Sequence, residues 1–250
     1  MILPPLGSPP AGFNLSPRHW RRNSMLLRQI ASGQSIAVMV REAVAAIENI
    51  HPKSGSLKQT MKRLERDGFV WSKVLSMFLG GGGKAGVSLQ IVGLTPLGRE
   101  VCQAAGWRVW PTEYERLCQV HEAERFPDHT LCILVFAREA YRRNNGYDIC
   151  TADLDDNIMP DVTLFDSRDP DDDFETLYVE VERKGDCPSK WQRISRLNDG
   201  LVYVCAPNPA KRESLVREIS GMGYGGWATD LRTLLYEQAS PLWLQEIWPE

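Results

Sequence analysis

Two short apolar segments carry acids where a half-buried strand would ordinarily place aliphatic side chains. They are Pro160-Asp161-Val162-Thr163-Leu164-Phe165 and Leu177-Tyr178-Val179-Glu180-Val181-Glu182-Arg183-Lys184. Side chains alternate across a strand, so Glu180, Glu182 and Lys184 share one face and Val179, Val181 and Arg183 the other. Two carboxylates and a lysine beside a neighbouring strand that opens on Asp161 are the groups needed to hold a divalent metal and orient a water. That chemistry suits hydrolysis of phosphodiesters.

The surrounding pattern supplies elements to position these groups. It predicts a helix over 128–144, strands over 147–154, 161–165 and 175–184, a helix over 189–197, a strand over 201–206 and a helix over 210–220. One helix, three strands, a helix and a strand form an α/β arrangement with a small mixed sheet. The helix that begins at Ser189 brings Lys190, Gln192 and Arg193 after the acid-bearing strand, and Glu139 lies in the helix before the strands. Asp169–Asp173 is an acidic loop, and Gly221–Gly226 reads as a turn.

This αβββαβ order, with Pro160-Asp161 opening the second strand and a Glu-containing third strand, resembles the core of the PD-(D/E)XK nuclease superfamily. The resemblance implies Mg2+ or Mn2+ bound by Asp161 and the strand-three acid, with a lysine acting on the attacking water. Two registers fit. Glu180 as the metal acid matches the apolar lead-in Leu177-Tyr178-Val179 and leaves Glu182 where the lysine usually stands. Glu182 instead gives Glu182-Arg183-Lys184, a literal E-x-K. Glu180 is preferred for metal contact, with Glu182 beside it and Lys184 or Lys190 as the positive group. The catalytic set is thus Asp161, Glu180, Glu182, Lys184 and Lys190, the metal set Asp161, Glu180 and Glu182, and Glu139 a subsidiary acid.

Charge divides the chain. Residues 1–110 hold 14 Lys+Arg against 5 Asp+Glu, whereas residues 111–250 hold 15 against 27. A basic half joined to an acidic half argues for two units with different tasks, the basic one suited to nucleic acid. Residues 1–23 read as a Pro/Gly/Ser-rich arm ending on Arg18, Arg21 and Arg22, and residues 24–50 as helical, with Ile36, Val40, Val44 and Ile47 near helical spacing. Ser56 and Gln59 match a capping box. Leu57, Met61 and Leu64 form one stripe, and Gly68 stops the helix. Phe69–Leu75 and Val87–Val92 read as strands flanking Gly80–Gly83 and Lys84, and Thr95-Pro96 starts a further helix.

Helices, a basic helix, a hairpin and a helix resemble a winged helix-turn-helix domain over about residues 24–106. The resemblance implies a duplex-reading helix at 56–67 carrying Lys58, Gln59, Lys62, Arg63 and Arg66, with Lys84 at the wing tip. Residues 107–127 connect it to the α/β domain at 128–250. A winged helix followed by this module is similar to the replication-relaxation proteins of plasmids and integrative elements, which implies work on mobile-element DNA. The expected partner is double-stranded DNA. A second reading is a non-catalytic regulator whose nuclease-like domain serves dimerisation or protein contact.

Other signals narrow the field. No apolar run approaches the roughly 18–20 residues of a membrane helix, and the first residues lack the pattern of a signal peptide. A cytoplasmic protein with no small-molecule cofactor is expected. The six cysteines are scattered without Cys-x-x-Cys, which argues for free thiols over zinc. The four histidines, at 19, 51, 121 and 129, read as dispersed, and His121-Glu122-Ala123-Glu124 as a surface face. Leu242, Trp243, Leu244, Ile247 and Trp248 form an apolar stripe that suits either the protein's own core or a homodimer interface.

Overall fold

A computed structural model describes residues 8–80, 86–143, 145–149, 159–165, 176–183 and 188–250. It is a mixed α/β structure that divides into two units. One comprises residues 1–75 and 89–116, the other residues 76–88 and 117–250.

The first unit contains α1 (Pro17–Ala31), α2 (Ala37–Glu48), α3 (Gly55–Arg66) and α4 (Pro96–Ala104), with the inner parts of the antiparallel strands β1 (Val70–Phe78) and β2 (Gly86–Leu94). Its core gathers Trp20, Leu26, Leu27 and Ile30 from α1, Val40 and Val44 from α2, and Leu57, Met61 and Leu64 from α3. The Leu57/Met61/Leu64 stripe is therefore buried as its spacing requires. Helix α1 begins at Pro17, inside the stretch expected to be a loose arm, because Trp20 is buried and stacks on Trp107 at 6.0 Å.

The continuous helix expected over 24–50 is two helices. Gly33 takes φ +105°, and Ile36 is extended and makes an isolated antiparallel bridge to Ile91, so Ile36 caps α2 rather than joining a helical stripe. Helix α3 starts at Gly55, one residue before Ser56. Ser54 is its N-cap, the Ser54 and Ser56 hydroxyls bond each other, and the expected capping box does not form. Thr95 does cap α4, its Oγ1 accepting the Gly98 N–H.

In the second unit a six-stranded sheet has the order β3-β4-β5-β6-β7-β8. The strands are β3 (Gly146–Ile149), β4 (Val162–Phe165), β5 (Leu177–Val181), β6 (Leu201–Ala206), β7 (Gly225–Asp230) and β8 (Gln245–Ile247). β3, β4 and β5 pair antiparallel, β5, β6 and β7 parallel, and β8 antiparallel to β7. Helices α7 (Pro188–Leu197) and α8 (Pro209–Gly221) make the crossovers that the parallel pairs need. Two further helices are α6 (Pro127–Arg142) and the short α9 (Leu231–Tyr236), while α5 (Glu113–Val120) spans the boundary between the units.

The expected helix–three strands–helix–strand order is present, and two further strands extend the sheet. Gly225 and Gly226, read as part of a turn, begin β7. At Gly226, φ +147°, a Cβ would fall 2.0 Å from the Val202 carbonyl oxygen, so the two strands approach at a point only glycine fits. Trp243 packs on Tyr203 and Phe136, and Leu242 and Ile247 are buried, so that part of the C-terminal stripe covers the unit's own core. Trp248 stays 69% exposed.

The outer hairpin, residues 76–88, groups with this second unit. Leu79 is buried, its carbonyl accepts the Asn208 side-chain amide at 2.6 Å, and the Gly86 carbonyl accepts the Tyr236 hydroxyl. Lys84, placed by sequence at a wing tip, lies outside the described residues, as does the acidic loop 169–173. No described helix is long and apolar enough to cross a membrane.

Candidate metal centre and basic helix

The site grows from the pairing of β4 with β5. Val162 faces Val179, Thr163 faces Tyr178 and Leu164 faces Leu177. Carrying that register one residue outward sets Asp161 opposite Glu180. Directly opposed residues share a face, their Cβ atoms about 4.5–5.5 Å apart. Asp161 is 2% exposed and Glu180 4%, so two neighbouring inner strands bring two buried carboxylates side by side.

Each acid has defined partners. Asp161 Oδ2 accepts the Val181 backbone N–H at 2.8 Å. Its Oδ1 lies 3.1 Å from His129 Nε2 and 3.7 Å from His121 Nδ1. Glu180 Oε2 lies 2.5 Å from Lys190 Nζ, and Glu182 Oε2 lies 3.0 Å from the same nitrogen. Glu180 and Glu182 therefore meet one cation, as two residues on the same side of a strand can. The positive group here comes from the first turns of α7. Lys184 lies outside the described residues.

The electrostatics follow from one ammonium serving three acids. Burial pushes the Glu180 carboxyl up and the charge on Asp161 pushes it further. These outweigh the opposing pull of Lys190 and leave it at about 8. Burial also opposes ionisation of Asp161. Its contact with His129 and the charges of Lys190 and His121 overcome that and hold it well below the usual carboxylate range. Burial would lower the pKa of His129, but Asp161 raises it above that of an ordinary imidazole. Lys190 rises above the usual lysine value, burial notwithstanding, because Glu180, Asp161 and Glu182 surround it.

The two histidines correct the expectation that they are dispersed. His121 follows the last residue of α5 and still donates its backbone N–H to the Leu117 carbonyl. The chain then reverses, with Glu122 left-handed at φ +47°, and Pro127 restarts it as α6. Thr130 Oγ1 returns to the Ala123 and Phe126 carbonyls, closing the turn. His121 and His129 thus sit at facing helix ends with ring centroids 6.2 Å apart. Pro127, seven residues after the end of α5, is the sequence signal for such a reversal; the linear distance to Asp161 conceals its consequence. Arg183 Nη2 reaches Asp128 Oδ2 at 3.0 Å, tying the start of α6 to the end of β5.

Glu139 does not join the site. It stands ten residues beyond His129 along α6, roughly 15 Å at 1.5 Å per residue. Its carboxylate is held by Arg138, Arg142 and Arg143, and Arg143 also bonds the Leu234 and Ser240 carbonyls. That is a buried anchor for the end of the helix.

On α3, in the other unit, the expected DNA-facing residues separate into two groups. Lys58, Gln59 and Lys62 are exposed. Arg63 is half-buried and donates to Asn23 of α1, and Arg66 is exposed but pairs with Asp67. Beside them, a groove of about 370 Å³ is lined by Arg18, Arg21, Arg22, Gln59 and Arg63.

Comparison of the chain with protein-family models, with curated proteins and with solved structures found no match.

Proposed function

We propose that this chain is a DNA-binding protein whose second unit hydrolyses phosphodiester bonds with a divalent cation, in the manner of the PD-(D/E)XK nucleases. One observation carries the reading. The register of antiparallel β4 and β5 carries Asp161 opposite Glu180, and Lys190 Nζ rests on Glu180 and Glu182. The α6-β3-β4-β5-α7-β6 order supports it.

Asp161 and Glu180 offer the hard oxygen donors that Mg2+ or Mn2+ accepts, so the residues present suit such an ion. When bound, it would make the attacking water more acidic and offset charge on the phosphate. The Val181 N–H fixes the Asp161 carboxylate in orientation. Lys190 keeps a positive charge beside the acids, where its ammonium can hydrogen-bond a phosphate oxygen or the incoming water. Glu182, standing where a lysine is usual, shares that ammonium with Glu180. Exposed Arg193 and Arg196 on α7 give an acidic unit a local cationic surface for the substrate backbone.

For the first unit we read α1–α3, the β1–β2 hairpin and the Ile36–Ile91 bridge as a winged helix-turn-helix. Helix α3 then presents Lys58, Gln59 and Lys62 to duplex DNA, and the arginine-lined groove beside it faces the phosphates. Work on mobile-element DNA remains part of this proposal. A non-catalytic regulator is the second reading, favoured by the full engagement of Lys190 with two acids. Incubation of the purified protein with plasmid DNA and Mg2+ or Mn2+ separates them. Nicking or cleavage that Asp161→Asn abolishes supports hydrolysis. Equal activity in that variant rejects the site, and tight duplex binding without cleavage under either ion favours the regulator.

A further inference from the structure

We infer that the cation of this unit is held by His121 and His129 together with Asp161, and that it belongs to the divalent first-row transition metals rather than being Mg2+. This deepens the phosphodiesterase reading and rests on it only for what the ion is used for. The family resemblance points to acids alone, and neither imidazole figures in it.

The geometry comes from three separate places in the chain. One ligand atom from each of His121, His129 and Asp161 lies within 4.8 Å of the others. The two distances to Asp161 Oδ1 are 3.1 and 3.7 Å. Donors each about 2.0–2.2 Å from one ion stand about 3–3.5 Å apart, so small rotations of the rings complete a ligand set. The α5–α6 reversal fixes both ring positions, closed by Thr130 on the Ala123 and Phe126 carbonyls. The Val181 N–H holds the second oxygen of Asp161, which leaves Oδ1 directed at the imidazoles. Ligands of metal sites are ordinarily oriented by such second partners.

Donor chemistry decides the class of ion. Mg2+ prefers carboxylates, phosphate oxygens and its own waters, and gains little from nitrogen. Imidazole favours the transition series, where a site of two histidines and one carboxylate leaves positions open for water and substrate. Glu180 and Glu182, drawn towards Lys190, stand on the other side of Asp161 from this pair in bonding terms. With Lys190 they can act on substrate and water while the histidines retain the ion.

The test uses the full chain with MnCl2 and MgCl2 as probes. Calorimetric titration is expected to give one Mn2+ per chain, bound at least about tenfold more tightly than Mg2+. Pulsed electron paramagnetic resonance of the bound Mn2+ should show coupling to imidazole nitrogen, read on the unaltered protein. In His121→Ala/His129→Ala, shown by circular dichroism to be folded, the preference for Mn2+ should fall below about threefold. Absence of nitrogen coupling, or an undiminished preference in the double variant, overturns the inference. Histidine-dependent Mn2+ binding without DNA hydrolysis would sustain the site and sink the phosphodiesterase reading. Full Mg2+-supported cleavage by the double variant would do the reverse.

Discussion

Removing the Lys190 ammonium is the sharpest physical perturbation of the acid cluster. Asp161 and Glu180 are almost wholly buried, the Glu182 side chain is 15% exposed, and that of Lys190 24%. Lys190→Met keeps the length of the side chain and deletes the charge and both hydrogen bonds. Losing a hydrogen bond to a charged group costs about 1.5–3 kcal/mol, and breaking a buried pair about 3–5 kcal/mol. The lower figure applies where Glu180 can remain protonated, the higher where it must ionise.

The pH dependence has a definite sign. Glu180, with its folded pKa raised to about 8, contributes stability below its unfolded pKa that is lost as pH rises through 8. In the variant that pKa rises further, so the loss continues at higher pH while the parent has finished titrating. The deficit of the variant therefore grows above pH 8, by at most about 1.4 kcal/mol per pH unit. Lys190 itself keeps its charge over this range, its pKa being raised.

Urea unfolding in EDTA, followed by tryptophan fluorescence, should show a deficit of about 2 kcal/mol at pH 6, rising to about 3 kcal/mol at pH 9. A deficit below about 1 kcal/mol at pH 9, or equal deficits at the two pH values, would show that the lysine does not neutralise buried acids.

Further outcomes follow from other contacts. Glu139→Gln should destabilise the protein by about 3 kcal/mol in a thermal or urea melt, because Arg138 and Arg143 lose a buried counter-charge, yet leave Mn2+ affinity unchanged. Lys58→Glu with Lys62→Glu should weaken duplex binding and lower the slope of log affinity against log salt by about 2 in a fluorescence-anisotropy series, one for each lost phosphate contact. Cys102 and Cys132, whose thiols burial pushes up to about 12, should resist iodoacetamide at pH 8 in the folded chain and react after denaturation, as peptide mapping would show. Gly226→Ala should abolish soluble folded protein, or lower the melting temperature by well over 10 °C, because its Cβ meets the β6 backbone.

Much of the acid cluster's geometry was legible because strand parity is a local property. Alternation placed Glu180 and Glu182 on one face, and the preceding strand, opening on Asp161, supplied a third acid beside them. The contribution of Lys190 was legible as one of two candidates, since a helix following the third strand must cross back over the sheet. The histidines were not legible, because their meeting depends on a left-handed residue at 122 and on how two helix ends face each other. Nor was the break in the first long helical stretch: Ile36 has helical spacing from Val40, but its pairing with Ile91 more than fifty residues away prevails. Ser56 offered a capping signature, and the exchange of hydroxyl contacts with Ser54 one turn-start earlier displaced it. Local pattern identified the elements; contacts distant in sequence decided their ends and brought the two histidines together.

The allocation of residues 76–88 bears on how this protein can be handled. A fragment beginning at 117 retains the whole acid–histidine cluster and looks self-contained on paper. It would lack Leu79 and Met77, leaving bare the surface around Cys132 and depriving Asn208 and Tyr236 of their carbonyl acceptors. Such a fragment is expected to aggregate or melt early, and its silence in a cleavage assay would say nothing about chemistry. Segments distant in sequence complete one body, so a reading frame trimmed to its apparent catalytic half removes part of what keeps that half folded.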